Sequence, residues 1–201
     1  MRPARGATIP LFPLRAVLFP GGLLPLKVFE QRYIDMTKTC MKEGRPFGVV
    51  TITAGDEVAG QGGTPSFSKV GTLAAITGWD MPELGILQVA TEGRSRFQVR
   101  EHRVQPNHLV VADVADIPDE PRVPLPSDAE PLVRLLELAA ARVNARHFPA
   151  VQDYGDASWV GYRLAELLPL PLSIKQGMLE INDAVVRLSV LRRFLEQQGV
   201  L

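Results

Sequence analysis

A short run of arginines is the feature of this sequence that comes closest to a binding site. Arg94, Arg96, Gln98 and Arg100 recur at every second position, and alternate residues of an extended strand share one face. Three guanidinium groups on one face could hold carboxylates or phosphates, since each presents a planar fork of donors. We favour the simpler interpretation, an outward polar face balanced by nearby acidic residues, and keep an anion-binding face as the alternative.

The stretch Phe19-Pro-Gly-Gly raises the question of a phosphate-binding loop. Phosphate-binding glycines normally precede a helix N-terminus, whose amides and dipole attract the anion. Here the glycines lead into Leu-Leu-Pro-Leu-Lys-Val-Phe, which has the composition of a strand. We therefore predict a tight bend between two strands, with at least one of Gly21 and Gly22 at positive φ.

The remaining residues do not assemble into a catalytic or cofactor-binding pattern. The sequence lacks G-x-x-x-x-G-K-[ST], G-x-G-x-x-G after a strand, and G-x-S-x-G, which hold nucleotides or a nucleophile. His102, His108 and His147 share no ligand spacing, whereas zinc usually needs three or four clustered ligands. Asp80 and Glu83 flank a proline and are more typical of a solvated turn than of an acid/base pair. We therefore predict no catalytic residue, no metal and no cofactor.

Charge and cysteine content limit the class of partner. The 22 basic and 22 acidic side chains give a net charge of +0, so no overall field draws the chain to nucleic acid or anionic lipid. No apolar run approaches the roughly 20 residues needed to cross a bilayer, and the N-terminus lacks a signal-peptide core. Cys40 is the only cysteine; a lone thiol fits a reducing compartment, and we expect it to be buried and inert. These features favour a cytoplasmic protein without a membrane or nucleic-acid partner.

The first half of the chain has the pattern of strands interrupted by one helix. Turns are expected at residues 80–83 and 105–107, and the glycine-rich segment 56–68 is expected to be a mobile loop. Apolar residues spaced three and four apart predict a helix over Glu30–Glu43, stopped by Gly44. Runs rich in β-branched and apolar residues predict strands at Ile9–Leu14, Leu23–Phe29, Phe47–Thr53, Val70–Trp79, Leu84–Thr91, Arg94–Val104 and Leu109–Val114.

A proline-rich segment separates this half from a helical one. Four prolines lie within residues 118–126, and they can join neither a helix interior nor a sheet interior, so we predict a stiff linker at 119–127. The fold class predicted from the pattern is α+β, with a β-rich domain at 1–118 and a helical bundle at 128–201.

Three amphipathic helices are expected in the second half. The first begins at Ser127-Asp-Ala-Glu130, which has the form of a capping box. The second runs over 158–168 and is halted by two prolines. The third opens with a similar pair, Ser173 and Gln176, and carries an apolar stripe to Leu195.

The opening block of the chain resembles a known family. The sequences IPLFPLR at 9–15, VLFPG at 17–21 and LPLKVFEQRY at 24–33 are similar to the start of the Lon protease N-terminal, substrate-binding domain. Similarity continues in GRPFGV at 44–49, VGTLAAI at 70–76, EGRSRFQV at 92–99, LLPL at 167–170 and KQGMLEI at 175–181. The resemblance spans nearly the whole chain, and the opening block is its most specific part.

This resemblance implies both a fold and a function. It implies a PUA-like β pseudo-barrel with one helix, followed by a helical bundle, in a bacterial-type protein. In full-length Lon proteases this region precedes ATPase and Ser-Lys protease modules; the sequence ends at Leu201 without a Walker lysine, so a stand-alone, non-catalytic recognition domain is expected. Its partners would be unfolded or apolar polypeptide segments or partner proteins, in an adaptor or chaperone-like role. Phe19, Leu23 and Leu24 beside the bend are the candidate peptide contacts, although each is also a candidate core residue.

Two other classes of function stay open at this point. A small-molecule enzyme would need a cleft that gathers distant residues such as His102, Arg96 and Asp153. RNA binding is suggested by analogy between the implied fold and PUA-type barrels, with Arg94, Arg96 and Arg100 as its only support. The balanced net charge argues against RNA, because phosphate contacts supply most of the affinity in such complexes. The pattern makes no prediction of oligomeric state.

Overall fold

A computed structural model of the chain describes residues 7–55, 65–144 and 148–201. The chain forms two compact units, Met1–Pro118 and Asp119–Leu201, which we call the β unit and the helical unit. The described residues form six strands and five helices, which confirms the predicted α+β class. His147 and most of the predicted loop at 56–68 lie outside the described residues. No helix in the described ranges is long and apolar enough to cross a membrane.

The β unit contains the six strands and one helix. Its elements are β1 Thr8–Leu14, β2 Leu23–Val28, α1 Gln31–Glu43, β3 Phe47–Ala54, β4 Ser66–Glu83, β5 Ile86–Val104 and β6 Val110–Asp116. Helix α1 ends as predicted, because Gly44 adopts φ 62° and the next amide, that of Arg45, returns to the Cys40 carbonyl at 3.0 Å.

The six strands form one sheet in the order β2-β5-β4-β3-β1-β6. Strands β1 and β3 are parallel, and the other pairs are antiparallel. Strand β5 also pairs with β6, so β5, β4, β3, β1 and β6 form a closed cycle of pairings. Strand β2 stands outside this cycle and pairs only with β5 among the described strands.

Two apolar clusters fill the β unit. One contains Leu11, Leu73 and Phe97, and its members come from all five strands of the cycle. The other joins α1 to the sheet through residues such as Tyr33, which stacks on Phe12 with ring centroids 4.0 Å apart. The closed cycle therefore has its own interior, and α1 covers a separate face.

One predicted turn is wrong. Residues 80–83 belong to β4, and the chain reverses at Leu84–Gly85 instead, where Gly85 has φ 85°. A proline is tolerated near the end of a strand, so Pro82 does not stop β4. The predicted turn at 105–107 is confirmed: the Gln105 amide and the Leu109 carbonyl are 2.8 Å apart.

The helical unit contains the other four helices. They are α2 Glu130–Ala140, α3 Ala157–Leu167, α4 Leu172–Glu180 and α5 Ala184–Gln197. Helix α3 contacts α2, α4 and α5, and its residues 157–165 are almost all buried. It is therefore the central helix of this unit.

The predicted helix starts in this unit are partly wrong. Ser127 and Ser173 do not cap α2 and α4, whose N-cap residues are Ala129 and Pro171 without side-chain caps. Asp156 and Asp183 supply the caps instead, at α3 and α5, by accepting hydrogen bonds from amides two and three residues ahead. The predicted third helix is two helices, because the cap at Asp183 starts a new one.

The proline-rich segment is hydrogen-bonded into the helical unit. The Val123 amide donates to the Asp156 carboxylate at 3.0 Å, and the Val123 carbonyl accepts from Ala157 at 2.8 Å. Pro124 and Asp156 form an isolated antiparallel bridge. Val123 and Pro124 of the predicted linker are thus held by the start of α3.

Candidate functional site

The Phe19–Gly22 segment is a tight turn that sets the start of β2. The Gly22 amide donates to the Phe19 carbonyl at 2.9 Å, and Gly21 has φ 70°. Proline at the second position and a positive-φ glycine at the third are the signature of a type II turn. The predicted bend is confirmed, and because a strand follows it the segment lacks the helix N-terminus of a phosphate loop.

Gly93 of β5 anchors this turn to the sheet. Its carbonyl accepts from the Gly21 amide and its amide donates to the Gly22 carbonyl, both at 2.8 Å. A Cβ atom at Gly93 would lie 2.1 Å from the Phe19 carbonyl oxygen. Because no side chain fits in that gap, the glycine lets the turn contact β5 directly and fixes the register of β2.

The outer edge of β2 has no strand partner in the described part of the chain. Leu24 and Leu26 pack against the α1 cluster, and Val28 belongs to it. The intervening Pro25 and Lys27 are exposed. An unpaired edge presents backbone donors and acceptors that can pair with another chain.

Large apolar side chains are exposed at the end of the sheet where β5 begins. Phe29 follows β2 and is 55% exposed, while Trp79 and Met81 on β4 are 61% and 36% exposed. Leu84, at the tip of the β4–β5 hairpin, is 100% exposed. Single exposed apolar residues are ordinary, but several from neighbouring elements mark an interaction surface. We call the outer edge of β2 together with these four side chains the apolar edge.

Two cavities adjoin the apolar edge. One, of about 420 Å³, lies over β2, β4 and β5 and is lined mainly by apolar atoms of residues such as Pro25 and Ala90. The other, of about 610 Å³, lies between the C-terminal end of α1 and β4. Trp79 lines both cavities, so its exposed indole lies where apolar side chains of a partner could enter from either side.

The peptide contacts predicted beside the bend are divided by the structure. Phe19 is fully buried, so its side chain cannot contact a partner and the candidate contact is corrected to a core residue. Leu24 is half-buried and packs toward the α1 cluster. Leu23 is also half-buried and lies opposite Glu92 of β5. Of the three predicted residues, Leu23 and Leu24 remain at the apolar edge.

The predicted arginine row does not form. Arg96 is buried, whereas Arg94 and Arg100 are exposed. The β4–β5 register shifts between the pairs formed by Thr72 and Ala74, and the β5–β6 register shifts after Val99. Such bulges insert a residue and break the alternation of faces. The three guanidinium groups therefore do not share one face, and Arg94 instead pairs with Glu92 at 3.1 Å.

Two residues considered for other chemistry, Asp153 and Cys40, are paired or buried. Asp153 of the helical unit accepts two hydrogen bonds from Arg122, at 2.9 and 3.0 Å. In the described ranges no group of three His, Cys, Asp or Glu side chains could hold a metal. Burial raises the pKa of the Cys40 thiol to about 11, which accords with the buried thiol expected from the sequence.

The helical unit contains a buried ionic network that the sequence did not predict. Arg187 of α5 is fully buried and forms hydrogen bonds with both carboxylate oxygens of Glu120, one of them at 2.9 Å. Ser158 and Tyr162 of α3 each donate to the same carboxylate at 2.6 Å. Burial alone would raise the pKa of Glu120, but the hydrogen bonds from Arg187, Ser158 and Tyr162 lower it below its ordinary value. The carboxylate is saturated with donors, which is typical of a structural clasp.

The main apolar residues of the candidate site were missed from the sequence. The sequence pattern predicts a strand at Trp79, a turn at Met81 and strand ends at Phe29 and Leu84, and it does not predict their exposure. An available signal was the position of Met81 and Leu84 beside Pro82 and Gly85, since apolar residues next to turn formers often protrude from a hairpin tip.

The sequence and fold of this chain are similar to those of known proteins. The family model for the ATP-dependent protease La (LON) substrate-binding domain matches residues 8–197. A crystal structure of a Lon N-terminal domain protein from Xanthomonas campestris is 33% identical, has a TM-score of 0.76, and matches over 93% of this chain and 98% of that one. The N-terminal domain of Mycobacterium avium complex Lon protease, at 16% identity and a TM-score of 0.62, covers 92% and 96% of the two chains and shares the fold.

A full-length relative shows how much of a longer protein the similarity covers. The Lon protease of Cytophaga hutchinsonii is 27% identical over 203 residues, which include 95% of this chain and 24% of that protein. The chain therefore spans about a quarter of the length of the curated Lon proteases that it matches.

Proposed function

The chain belongs to the Lon substrate-binding domain family, and from that membership we propose that it is a non-catalytic module that binds exposed, apolar segments of unfolded polypeptides. The observation that carries the proposal is the apolar edge, where the unpaired strand β2 and four exposed apolar side chains lie at the same end of the sheet. Its partners are polypeptides, and an adaptor or chaperone-like role is the setting in which such binding would be used. A reducing compartment such as the cytoplasm suits the lone thiol of Cys40.

Strand addition to β2 is the proposed mode of binding. An extended segment can pair its backbone with an exposed sheet edge, which supplies affinity, while alternate side chains enter adjoining pockets. Strand β2 offers six residues, Leu23–Val28, which correspond to about 20 Å of extended chain. Pro25 donates no backbone hydrogen bond, so pairing is weakest there and apolar contacts must contribute.

Trp79 and Leu84 are the proposed apolar contacts for the bound segment. Trp79 of β4 borders both cavities, one of which extends across β5 to Pro25 and Leu26 of β2, and aromatic side chains supply large contact area at small entropic cost. Leu84 is fully exposed at the hairpin tip, where its burial by a partner removes apolar surface from water. Both side chains are exposed, and neither belongs to the core.

We also propose the finer assignment of the fold as a PUA-like pseudo-barrel followed by a helical bundle. The closed cycle of five strand pairings with its own apolar interior supports the first part. The packing of α2, α4 and α5 on α3 supports the second.

Peptide binding can be tested with a fluorescent ten-residue peptide whose apolar residues alternate with polar ones. We expect the double variant Trp79→Ser/Leu84→Ser to bind it at least tenfold more weakly in fluorescence anisotropy. The matched control is Leu138→Ser/Val151→Ser, which removes two exposed apolar residues from the helical unit. Equal affinities for the parent and the Trp79/Leu84 variant would refute the proposed surface.

Strand addition can also be tested through the backbone amides of the peptide. Only every second residue of an added strand directs its amide toward the sheet edge. Methylating one alternate set of peptide amides should therefore weaken binding at least tenfold, whereas methylating the other set should have little effect. Equal effects of the two sets would contradict pairing with β2 and favour adsorption through side chains alone.

A further inference from the structure

A cavity on another part of the β unit has the composition of a ligand site. It measures about 420 Å³ and lies among β1, α1, the end of β5 and the turn before β6. This volume is within the range of small-molecule pockets, about 300–1,000 Å³. Arg32, Arg45 and Arg103 all line it, and we call it the arginine cavity. It shares Cys40 and Arg45 with the 610 Å³ cavity between α1 and β4, but none of the residues that define the apolar edge line it.

Arg32 is built into the wall of this cavity. Its side chain is only 10% exposed; it pairs with Glu30 at 3.0 Å and donates to the His108 carbonyl at 2.8 Å. The guanidinium also lies over the Tyr33 ring, 4.4 Å from the centroid. Its Nε atom is buried and has no hydrogen-bond partner within the described ranges. A buried donor without a partner is costly, and the residue that carries it lines the cavity.

The other two arginines are available to a ligand. Arg45 pairs with Glu43 at 2.5 Å, but both side chains are largely exposed, and such surface pairs are weak and exchange readily. Arg103 is exposed and forms no ion pair with any residue that the structure describes. Both guanidinium groups can therefore turn to an incoming anion at little cost.

The charges around the cavity favour a singly charged ligand. Glu30 pairs with Arg32 and Glu43 pairs with Arg45, while Asp35 and Arg103 both line the cavity. Because three carboxylates balance the three arginines, a carboxylate is repelled less than a phosphate dianion. A planar guanidinium also matches the two oxygens of a carboxylate.

Apolar residues also line the cavity. They are Ile9, Met36, Leu109 and Val111, all of them buried. A ligand that satisfies both kinds of lining residue has a charged head and an apolar body. We propose that the arginine cavity binds a carboxylate attached to a short apolar body, either a free small carboxylic acid or the C-terminal residue of a polypeptide. This inference goes beyond the proposed binding of internal segments at the apolar edge.

Paired acids and amides test the proposal by isothermal titration calorimetry. The probes are hexanoate with hexanamide, and N-acetyl-Ala-Ala-Leu as the free acid with its C-terminal amide. In the parent protein at least one acid should bind tenfold or more tightly than its amide. Binding of hexanoate alone identifies a free small acid, binding of the tripeptide acid alone identifies a chain terminus, and binding of both identifies the carboxylate irrespective of source.

Two cavity variants and one control complete the test. Arg103→Gln and Arg45→Gln should each weaken binding of the acid about tenfold and lower its dependence on salt. Both residues are exposed, so melting temperatures should stay near that of the parent. Arg193→Gln on α5 changes an exposed arginine of the helical unit and should leave binding unchanged. Acids that bind no better than their amides, or affinity retained in both cavity variants, would overturn the proposal.

Discussion

The β unit leaves large apolar side chains in water, whereas the helical unit encloses charged ones. Trp79 and Leu84 are exposed in the first, and Arg163 and Arg187 are fully buried in the second. Exposed apolar surface contributes nothing to the stability of its own unit and is available to a partner. A buried ion pair contributes little net stability compared with apolar packing, yet losing one partner is costly. Substitutions of the exposed apolar residues should therefore weaken binding and leave folding unchanged. Substitutions of the buried charged residues should weaken folding and leave binding unchanged.

The largest expected effect is at Arg187. Its guanidinium holds Glu120, donates to the Met178 carbonyl at 2.8 Å and lies 3.9 Å from the Tyr162 ring centroid. Arg187→Gln should lower the free energy of unfolding by about 3–5 kcal/mol, because it leaves a buried carboxylate without its cation. Urea unfolding followed by circular dichroism would measure the loss.

The same helix supplies the control for this prediction. Arg192 pairs with Asp128 and Glu196 at the surface of the helical unit, and Arg192→Gln should cost less than about 1 kcal/mol. A double variant, Glu120→Leu/Arg187→Leu, should be less destabilised than Arg187→Gln, since it buries no unpaired charge. Similar losses for Arg187→Gln and Arg192→Gln would contradict the buried clasp.

A smaller effect is expected at the turn before β2. Gly21 has φ 70° with open space around it, so Gly21→Ala should cost roughly 1–3 kcal/mol through backbone strain alone. Gly177 in α4 also has open space, but its φ is not positive, and Gly177→Ala should stabilise by up to about 1 kcal/mol. The two melting temperatures should move in opposite directions, without dependence on phosphate. A parent-like melt for Gly21→Ala would mean that the type II turn is absent.

A pH-dependent effect follows from the lowered pKa of Glu120. Burial acts to raise this pKa, but hydrogen bonds from Arg187, Ser158 and Tyr162 outweigh it. A carboxyl whose pKa is lowered on folding contributes stability above its ordinary value of 4.5, and that stability is lost as pH falls through the folded value. The stability gap between the parent and Glu120→Gln should therefore be widest near neutral pH and narrow on acidification. A gap that stays constant with pH would argue against the network.

The smallest effect on stability is expected at the hairpin tip. Leu84 is fully exposed, so Leu84→Ser should change the melting temperature by less than about 2 °C. The same substitution should still weaken binding of the apolar peptide. Loss of both stability and binding would contradict the prediction that Leu84 affects binding and not folding.

Features set by neighbouring residues could be predicted from the sequence. The turn at Gly21 follows from a proline-glycine pair, and the end of α1 follows from Gly44, because both depend on local backbone preferences. Helix α3 was predicted within one residue at each end, since prolines follow it closely and its apolar spacing is regular. In each case the residues that determine the turn or helix end lie within a few positions of it in the sequence.

Features set by distant residues could not be predicted in this way. Glu120 and Arg187 are 67 residues apart, and nothing in the proline-rich segment identifies its acidic residue as a buried partner. Arg96 was assigned to an exposed face because strand alternation was assumed, whereas bulges on both sides of β5 interrupt it. Trp79 likewise lines cavities with residues of α1 and β2 that are distant from it in the sequence. The candidate site was therefore located only as far as Leu23 and Leu24 beside the bend.

The buried thiol of Cys40 has a practical consequence for spectroscopy. With a pKa of about 11, roughly one molecule in ten thousand carries the reactive thiolate at neutral pH. Maleimide dyes should therefore react with a cysteine introduced at an exposed position such as Leu84 and leave the native one unmodified. One fluorophore can thus be attached at the hairpin tip without first replacing Cys40, because the native thiol does not react with the dye.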